Sequence, residues 1–221
     1  MLTVLYKIAS AAIANRLKSV LDKIISNNQT GFLKGRNISD CTRLVYDVMH
    51  YTEKNNIAGL LLLVDFEKAF DSVSWSFLNN CLKKLGFGRD FMRWITLFNT
   101  EIYASVLQCG FLSSRINIER GCRQGDPIAP YLFIICSQIL TILIDQNKRI
   151  KGLEIMDTEI KITQFADDPS IFLDGTEGSL RQALNILEIY GNYSGLKMNK
   201  DKSELVWIGS KKIQKRYFVQ I

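Results

Sequence analysis

The sequence predicts an α+β domain, a mostly antiparallel sheet backed by helices. Three observations predict it. Residues Ala58 to Phe66 (AGLLLLVDF) form a continuous apolar run that carries one acid near its end. Its length suits a central strand buried on both faces. Two short strand patterns, Ile160 to Phe165 and Ser170 to Leu173, flank the tight sequence Ala166-Asp167-Asp168-Pro169. Helical periodicities lie between these strands. The strongest, Pro130 to Ile144, is apolar nearly all round and is expected to be buried.

The other elements follow in chain order. Leu5 to Ile25 places Ile8, Ala12, Leu17, Val20, Leu21 and Ile24 at helical spacing. A polar, Gly-containing stretch runs from Ser26 to Arg36. A second helix is expected from Ile38 to Glu53, capped by Ser39 or Asp40. Ser74 caps a helix through Leu85, which Gly86 and Gly88 terminate. Asp90 to Phe98 reads as a further helix, and Ala104 to Gln108 and Ile116 to Ile118 as strands. Leu180 to Tyr193 is a helix, and Leu205 to Ile208 closes as a strand. No internal repeat is visible.

Composition bounds the function. A chain of 221 residues suits one large domain or two small ones. At 47% hydrophobic it has enough apolar surface to offset the entropy of folding, which argues against chain-wide disorder. The net charge of +6 is unevenly spread: residues 1–60 carry +4, residues 61–199 carry −2, and residues 200–221 carry +4. Basic ends around an acidic middle suit a metal-centred site with nucleic-acid-facing flanks, and chance gives the same pattern. Five Cys without paired spacing and a single His, His50, argue against a zinc site and a His-dependent triad. Isolated Cys in apolar surroundings suggest a reduced, intracellular protein. No signal peptide opens the chain. The apolar run Ile128 to Ile144 is too short and too polar for a membrane span.

Three carboxylates stand out by position. Asp65 closes a buried strand, where a charge is costly unless compensated. Asp167 and Asp168 share a tight turn and repel each other. A divalent cation removes that repulsion, and all-oxygen ligation by few protein groups suits Mg²⁺. Two such ions clamp the attacking and leaving oxygens of a phosphoryl transfer. An ordinary hairpin turn accounts for an isolated Asp-Asp pair equally well.

The wider motifs carry a resemblance. Val64-Asp65-Phe66-Glu67-Lys68-Ala69-Phe70-Asp71-Ser72-Val73 resembles the first catalytic motif of reverse transcriptases of non-LTR retrotransposons, the long interspersed element type. Arg120-Gly121-Cys122-Arg123-Gln124-Gly125-Asp126-Pro127 resembles their second motif. Phe165-Ala166-Asp167-Asp168 is similar to the aromatic-Ala-Asp-Asp box, and Gly195-Leu196-Lys197-Met198-Asn199 with Lys202-Ser203 to the motif after it. Tyr6-Lys7-Ile8, Ala14-Asn15-Arg16-Leu17 and Gln29-Thr30-Gly31-Phe32 to Gly35-Arg36 look like the fingers of the same family. Four boxes in the family's order make a specific signal.

The resemblance implies a right-hand polymerase palm with partial helical fingers: fingers over residues 1–57, palm over 58–210 and a basic tail at 211–221. It implies RNA-directed DNA synthesis with two Mg²⁺ ions, or Mn²⁺ in their place, held by Asp65, Asp167 and Asp168 with the Phe66 carbonyl as an extra ligand. Phe70 matches the aromatic sugar gate that favours deoxynucleotides. Arg123, Gln124 and Gly125 match positions near the incoming nucleotide. Lys197, Lys200 and Lys202 are candidates for protonating the pyrophosphate leaving group. Lys7, Arg16, Lys34 and Arg36 are candidates for the template-primer groove. Each of these cations also reads as a solvated surface charge. The implied partners are an RNA template, a DNA primer, a dNTP and the remainder of a retroelement polyprotein, with no membrane.

Three features depart from the family pattern. Pro169 follows Asp168, where the family has a small polar residue, and it removes a ladder donor unless the strand lies on an edge. The upstream fingers strands are not matched, and neither is a thumb or an endonuclease region. The expectation is therefore a palm with part of the fingers from a longer polyprotein. Two rivals stay open: a catalytically inactive relic, and a non-enzymatic nucleic-acid-binding module. An unrelated metal-dependent nuclease gives no reason for the Arg123 to Pro127 turn.

Overall fold

The structure, a computed structural model, describes residues 2–209. Two helices open it, α1 (Val4–Ile24) and α2 (Ile38–Lys54). Strand β1 (Ala58–Leu63) follows, then three helices: α3 (Ala69–Ser72), α4 (Trp75–Lys84) and α5 (Arg89–Phe98). Four two-residue strands come next: β2 (Tyr103–Ala104), β3 (Leu107–Gln108), β4 (Phe111–Leu112) and β5 (Ile116–Asn117). The long helix α6 (Ala129–Asp145) leads to β6 (Leu153–Ile155), β7 (Thr158–Ile160), β8 (Ile162–Phe165) and β9 (Asp168–Leu173). Helix α7 (Glu177–Ser194) and β10 (Glu204–Gly209) complete the described chain.

The central sheet is antiparallel throughout, in the order β10-β1-β9-β8. The apolar run explains why β1 is interior: Leu60, Leu61 and Leu62 are each buried, so neither face tolerates water. Alternation divides them. Leu60, Leu62 and Val64 join Ile171 and Leu173 in the main core, where α1, α4, α5, α6 and α7 pack. Leu61, Phe172 and Ile208 face the opposite way and meet Val48 of α2 and Leu153 of β6 in a smaller core. The main layer of helices thus backs one face, as the pattern predicts, and α2 with the β6–β7 hairpin covers part of the other.

Caps set the boundaries. The Ser74 hydroxyl accepts from Phe77 N–H at 3.3 Å, as the sequence suggests. Asn37 and Asp40 form a capping box on α2, so the cap is Asn37, two residues before Ser39 and three before Asp40. α1 buries Ile13, Ala14, Leu17 and Leu21, while Ile8 of the predicted apolar stripe is exposed.

Other differences have physical causes. The single predicted strand at 160–165 is broken at Lys161. Its buried ammonium donates to the carbonyls of Asp145 (3.3 Å) and Asn147 (3.2 Å) at the end of α6 and pairs with Glu159 at 3.3 Å. A cation at a helix C-terminus satisfies carbonyls that the helix cannot. The predicted strands at 104–108 and 116–118 form instead a long, largely exposed hairpin arm that turns at Cys109-Gly110, both with positive φ (49° and 85°). The edge strand β8 is covered by the loop after α1: Thr30 N–H donates to the Gln164 carbonyl at 2.9 Å, and Gln164 N–H to the Asn28 carbonyl at 2.7 Å. Among the described residues no helix is long and apolar enough to cross a membrane. The expected basic tail at 211–221 lies outside the described residues.

Leu62 is fully buried on the interior strand. Leu62→Ala is expected to cost about 2–5 kcal/mol of stability, read as a lower denaturant midpoint at unchanged slope.

Candidate active site

Backbone register brings the acids together. Val64 N–H donates to the Pro169 carbonyl at 3.0 Å, continuing the β1–β9 ladder past Leu63 and Ser170. Counting the same register one step further sets Asp65 opposite Asp168, and the two carboxyls are near enough for the Asp65 charge to act on Asp168. Asp65 turns its own polar groups the other way. Its N–H donates to Ser203 Oγ at 3.1 Å, and its carbonyl accepts from Asn199 N–H at 2.8 Å. Glu67 N–H donates to the Lys197 carbonyl at 2.9 Å, so the loop before β10 holds Asp65 and Glu67 on one side. Asn199 stiffens that loop by accepting from the N–H groups of Asp201 (3.1 Å) and Lys202 (3.3 Å).

Asp167 occupies the β8–β9 turn beside Ala166, which takes a left-handed φ of 55°. Burial pushes the Asp168 carboxyl above the usual carboxylate range, and the charges of Asp167 and Asp65 push it further. Among the described residues no side chain donates to, or pairs with, any of the three carboxylates, and no three such groups already stand in ligating positions around one point. The donor set nevertheless fits a hard divalent cation: oxygen ligands and mutually repelling charge.

Phe70 of α3 stacks on Phe133 of α6 (4.4 Å between ring centroids, 17° apart) and meets Phe32 edge-on at 6.1 Å. The loop at 120–127 is bound to this helix. Gly121 N–H donates to the Val73 carbonyl at 2.8 Å and Cys122 N–H to the Phe70 carbonyl at 2.6 Å. A Cβ on Gly121 would stand 2.7 Å from the Asp71 carbonyl oxygen, so only glycine permits this contact. Burial first, and then Asp126, pushes the Cys122 thiol up to about 12, which excludes it as a nucleophile.

Arg123 is engaged within the protein. Its guanidinium donates to the Phe98 carbonyl at 2.6 Å and to Tyr6 Oη, lies over the Tyr6 ring and pairs with buried Asp126 at 3.6 Å. Asp126 also accepts from the Tyr6 and Ser10 hydroxyls. Gln124 and Gly125, by contrast, are exposed. Gln124 lines an open cleft of about 1060 Å³ together with Tyr6, Asp71, Trp94, Tyr103 and Arg120; none of the three acids lines it. Arg36 is likewise held inside, by the carbonyls of Ser26 (2.5 Å) and Gln29 (2.6 Å). Lys7, Arg16 and Lys34 are exposed, as are Lys197, Lys200 and Lys202 on the loop that holds Asp65. Sequence reasoning quoted Gln29, Asn199 and Ser203 inside motifs but gave them no role. Nothing in a single sequence shows which backbone groups a buried amide or hydroxyl will meet.

Comparison with known proteins decides the family. Residues 1–216 match the family described as "Reverse transcriptase (RNA-dependent DNA polymerase)". The chain belongs to the reverse transcriptase family. A Xenopus laevis relative, "Transposon TX1 uncharacterized 149 kDa protein", is 29% identical over 94% of this chain and 16% of its own length. The "Retrovirus-related Pol polyprotein from type-2 retrotransposable element R2DM" of Drosophila melanogaster is 28% identical over 96% of this chain and 20% of its own. The chain therefore spans a fifth or less of these non-LTR relatives. Among solved structures, a Candida tropicalis telomerase in complex with a fragment of telomeric RNA superposes with a TM-score of 0.65 at 10% identity, covering 97% of this chain and 35% of that one. An RNA-dependent RNA polymerase complex superposes at 0.55 with 12% identity, covering 90% and 18%. At such identities the likeness shows the right-hand polymerase fold alone.

The Asp168 environment yields a pH prediction. A carboxyl whose affinity for its proton is raised on folding adds stability as pH falls and loses it as pH rises. Asp168→Asn is therefore expected to raise the melting temperature near pH 7, by about 2–4 °C at most. The gain should shrink as pH falls and the wild-type carboxyl takes up its proton. Calorimetry across that range checks it.

Proposed function

We propose that this chain is the catalytic palm of an RNA-templated DNA polymerase encoded by a retroelement. Residues 1–57 would be partial fingers and 58–210 the palm. What supports the proposal is the β1–β9 register, which when continued past Val64 and Pro169 brings Asp65 opposite Asp168, together with the action of the Asp65 and Asp167 charges on the Asp168 carboxyl. Asp65, Asp167 and Asp168 would hold two Mg²⁺ ions, or Mn²⁺ in their place, with the Phe66 carbonyl as a further oxygen ligand. When bound, the metals would supply charge neutralisation for the transfer of a nucleotide onto a primer 3′ oxygen. The protein's own part is to hold the three acids on rigid strand ends.

Phe70 would serve as the sugar gate, and its stacking on Phe133 supports a ring held still enough to exclude a 2′ hydroxyl. Gln124 and Gly125, exposed beside the open cleft, would meet the incoming nucleotide. Arg123 is better read as fixing that loop from behind than as touching phosphate, since its donors meet Tyr6 and Phe98 and its charge meets Asp126. Lys197, Lys200 and Lys202 are the candidates for protonating pyrophosphate. Lys7, Arg16 and Lys34 would contact the template-primer backbone; Arg36, held by carbonyls, would shape the loop at 26–36 instead. The partners would be an RNA template, a DNA primer, a dNTP and the rest of the polyprotein, and an intracellular setting fits five unpaired cysteines.

One observation favours a second reading, a domain that keeps the fold without the activity. Pro169 lies on the interior strand β9, and its carbonyl faces Val64. Its ring nitrogen faces the same neighbour, so the Val64 carbonyl lacks the reciprocal donor that any other residue would give.

Primer extension on an RNA template, with dNTPs and Mg²⁺, separates the readings. The polymerase reading expects synthesis by the wild type and a loss of at least about 1,000-fold in Asp167→Asn. Absence of synthesis, with activity appearing in Pro169→Thr, would establish the inactive reading instead.

A further inference from the structure

The loop between α1 and α2 touches the hairpin that carries Asp167 and Asp168. Gln29, in that loop, is fully buried. Its Oε1 accepts from the N–H groups of Gly31 and Ala166, both at 2.8 Å. Its Nε2 donates to the Ala166 carbonyl at 3.2 Å, to Gln164 Oε1 at 3.1 Å and to Ser137 Oγ at 3.4 Å. One amide therefore holds both polar groups of the first turn residue, which has no strand partner of its own. Gly31 closes on the same residue: a Cβ there would stand 2.4 Å from Ala166 N. The Gln29 carbonyl is fixed in turn by Arg36 at 2.6 Å.

Ala166 takes a left-handed φ of 55°, which is unfavourable for a residue with a Cβ. A free two-residue turn interconverts between peptide orientations, and each orientation sends the next side chains in a different direction. A buried amide bonded to both the N–H and the C=O of Ala166 selects one of them.

We propose that Gln29 is a positioning residue for the proposed reaction. It fixes the Ala166 peptide and so sets the direction in which the carboxylates of Asp167 and Asp168 leave the turn. The proposal rests on the catalytic reading of those acids. A residue of this kind acts on the chemical step and on metal affinity. It leaves the affinity for dNTP unchanged, because it lies under the hairpin and is closed to solvent.

The test uses the full chain and three readouts. Amide hydrogen exchange in the wild type is expected to slow the Ala166 N–H at least about 100-fold relative to an open turn. Gln29→Met should remove that protection while Ile171 to Leu173 keep theirs. Gln29→Glu, which keeps the accepting oxygen, should restore part of it. In both Gln29→Met and Gly31→Ala, kcat is expected to fall about 10- to 100-fold with KM for dNTP within about threefold. Mn²⁺ affinity, read by water-proton relaxation, should weaken about 10-fold in the same two variants. An unprotected Ala166 N–H in the wild type overturns the proposal whether or not any variant folds. So does a Gln29→Met chain with unchanged kcat and Mn²⁺ affinity. If Asp167→Asn extends primers as well as wild type, the polymerase reading fails instead, and the exchange and Mn²⁺ measurements still decide the clamp.

Discussion

Three like charges must be kept within reach of one another by a fold that, among the described residues, gives none of them a counter-ion. That constraint organises the centre of the molecule. Side-chain contacts do not meet it, since none of the three carboxylates takes a hydrogen bond from a neighbouring side chain among the described residues. Backbone does. The β1–β9 ladder delivers Asp65 to Asp168, the β8–β9 turn adds Asp167, and the loop at 195–203 binds the Asp65 peptide from the other side. The strands that carry the acids bury Leu62, Val64 and Ile171 in the main core, so a shift of the main chain to relieve the repulsion would disturb that packing.

The parts of this arrangement that depend on local pattern were legible in the sequence. A nine-residue apolar run can hardly be anything but an interior strand, and an Asp at its end is conspicuous. The Ala166-Asp167 turn announces itself between two apolar segments. The Ser74 cap was likewise visible one residue before its helix. Family motifs added the order of the boxes. What was not legible depends on which groups meet in space. Arg36 and Arg123 look like surface cations in a list of residues, yet each spends its guanidinium on backbone carbonyls or a buried acid. Lys161 splits one predicted strand into two because the end of α6 happens to lie beside it. The hairpin arm at 103–117 was read as two plain strands because its turn, Cys109-Gly110, offers only one glycine as a signal.

Pro169 shows how the same sheet handles a local conflict. Proline is tolerated best on an edge, and here it sits between β1 and β8. The missing donor falls at the last rung, next to the acids, where the ladder is ending and Asp65 already turns towards the 195–203 loop. The defect is thus confined to the Val64 carbonyl. The pairs from Leu60–Leu173 to Leu63–Ser170 are untouched. A proline two residues further along would have cut the sheet at its centre.

The pairing of residues 28–30 with Gln164 has a consequence for how the molecule meets other chains. Exposed strand edges recruit foreign β-segments, and a fold with two open margins can polymerise in both directions. Here the margin at β8 is sealed by the chain's own backbone, so that side of the sheet offers no open ladder to an added strand. A sheet closed on one side cannot stack in both directions, so the architecture resists runaway growth.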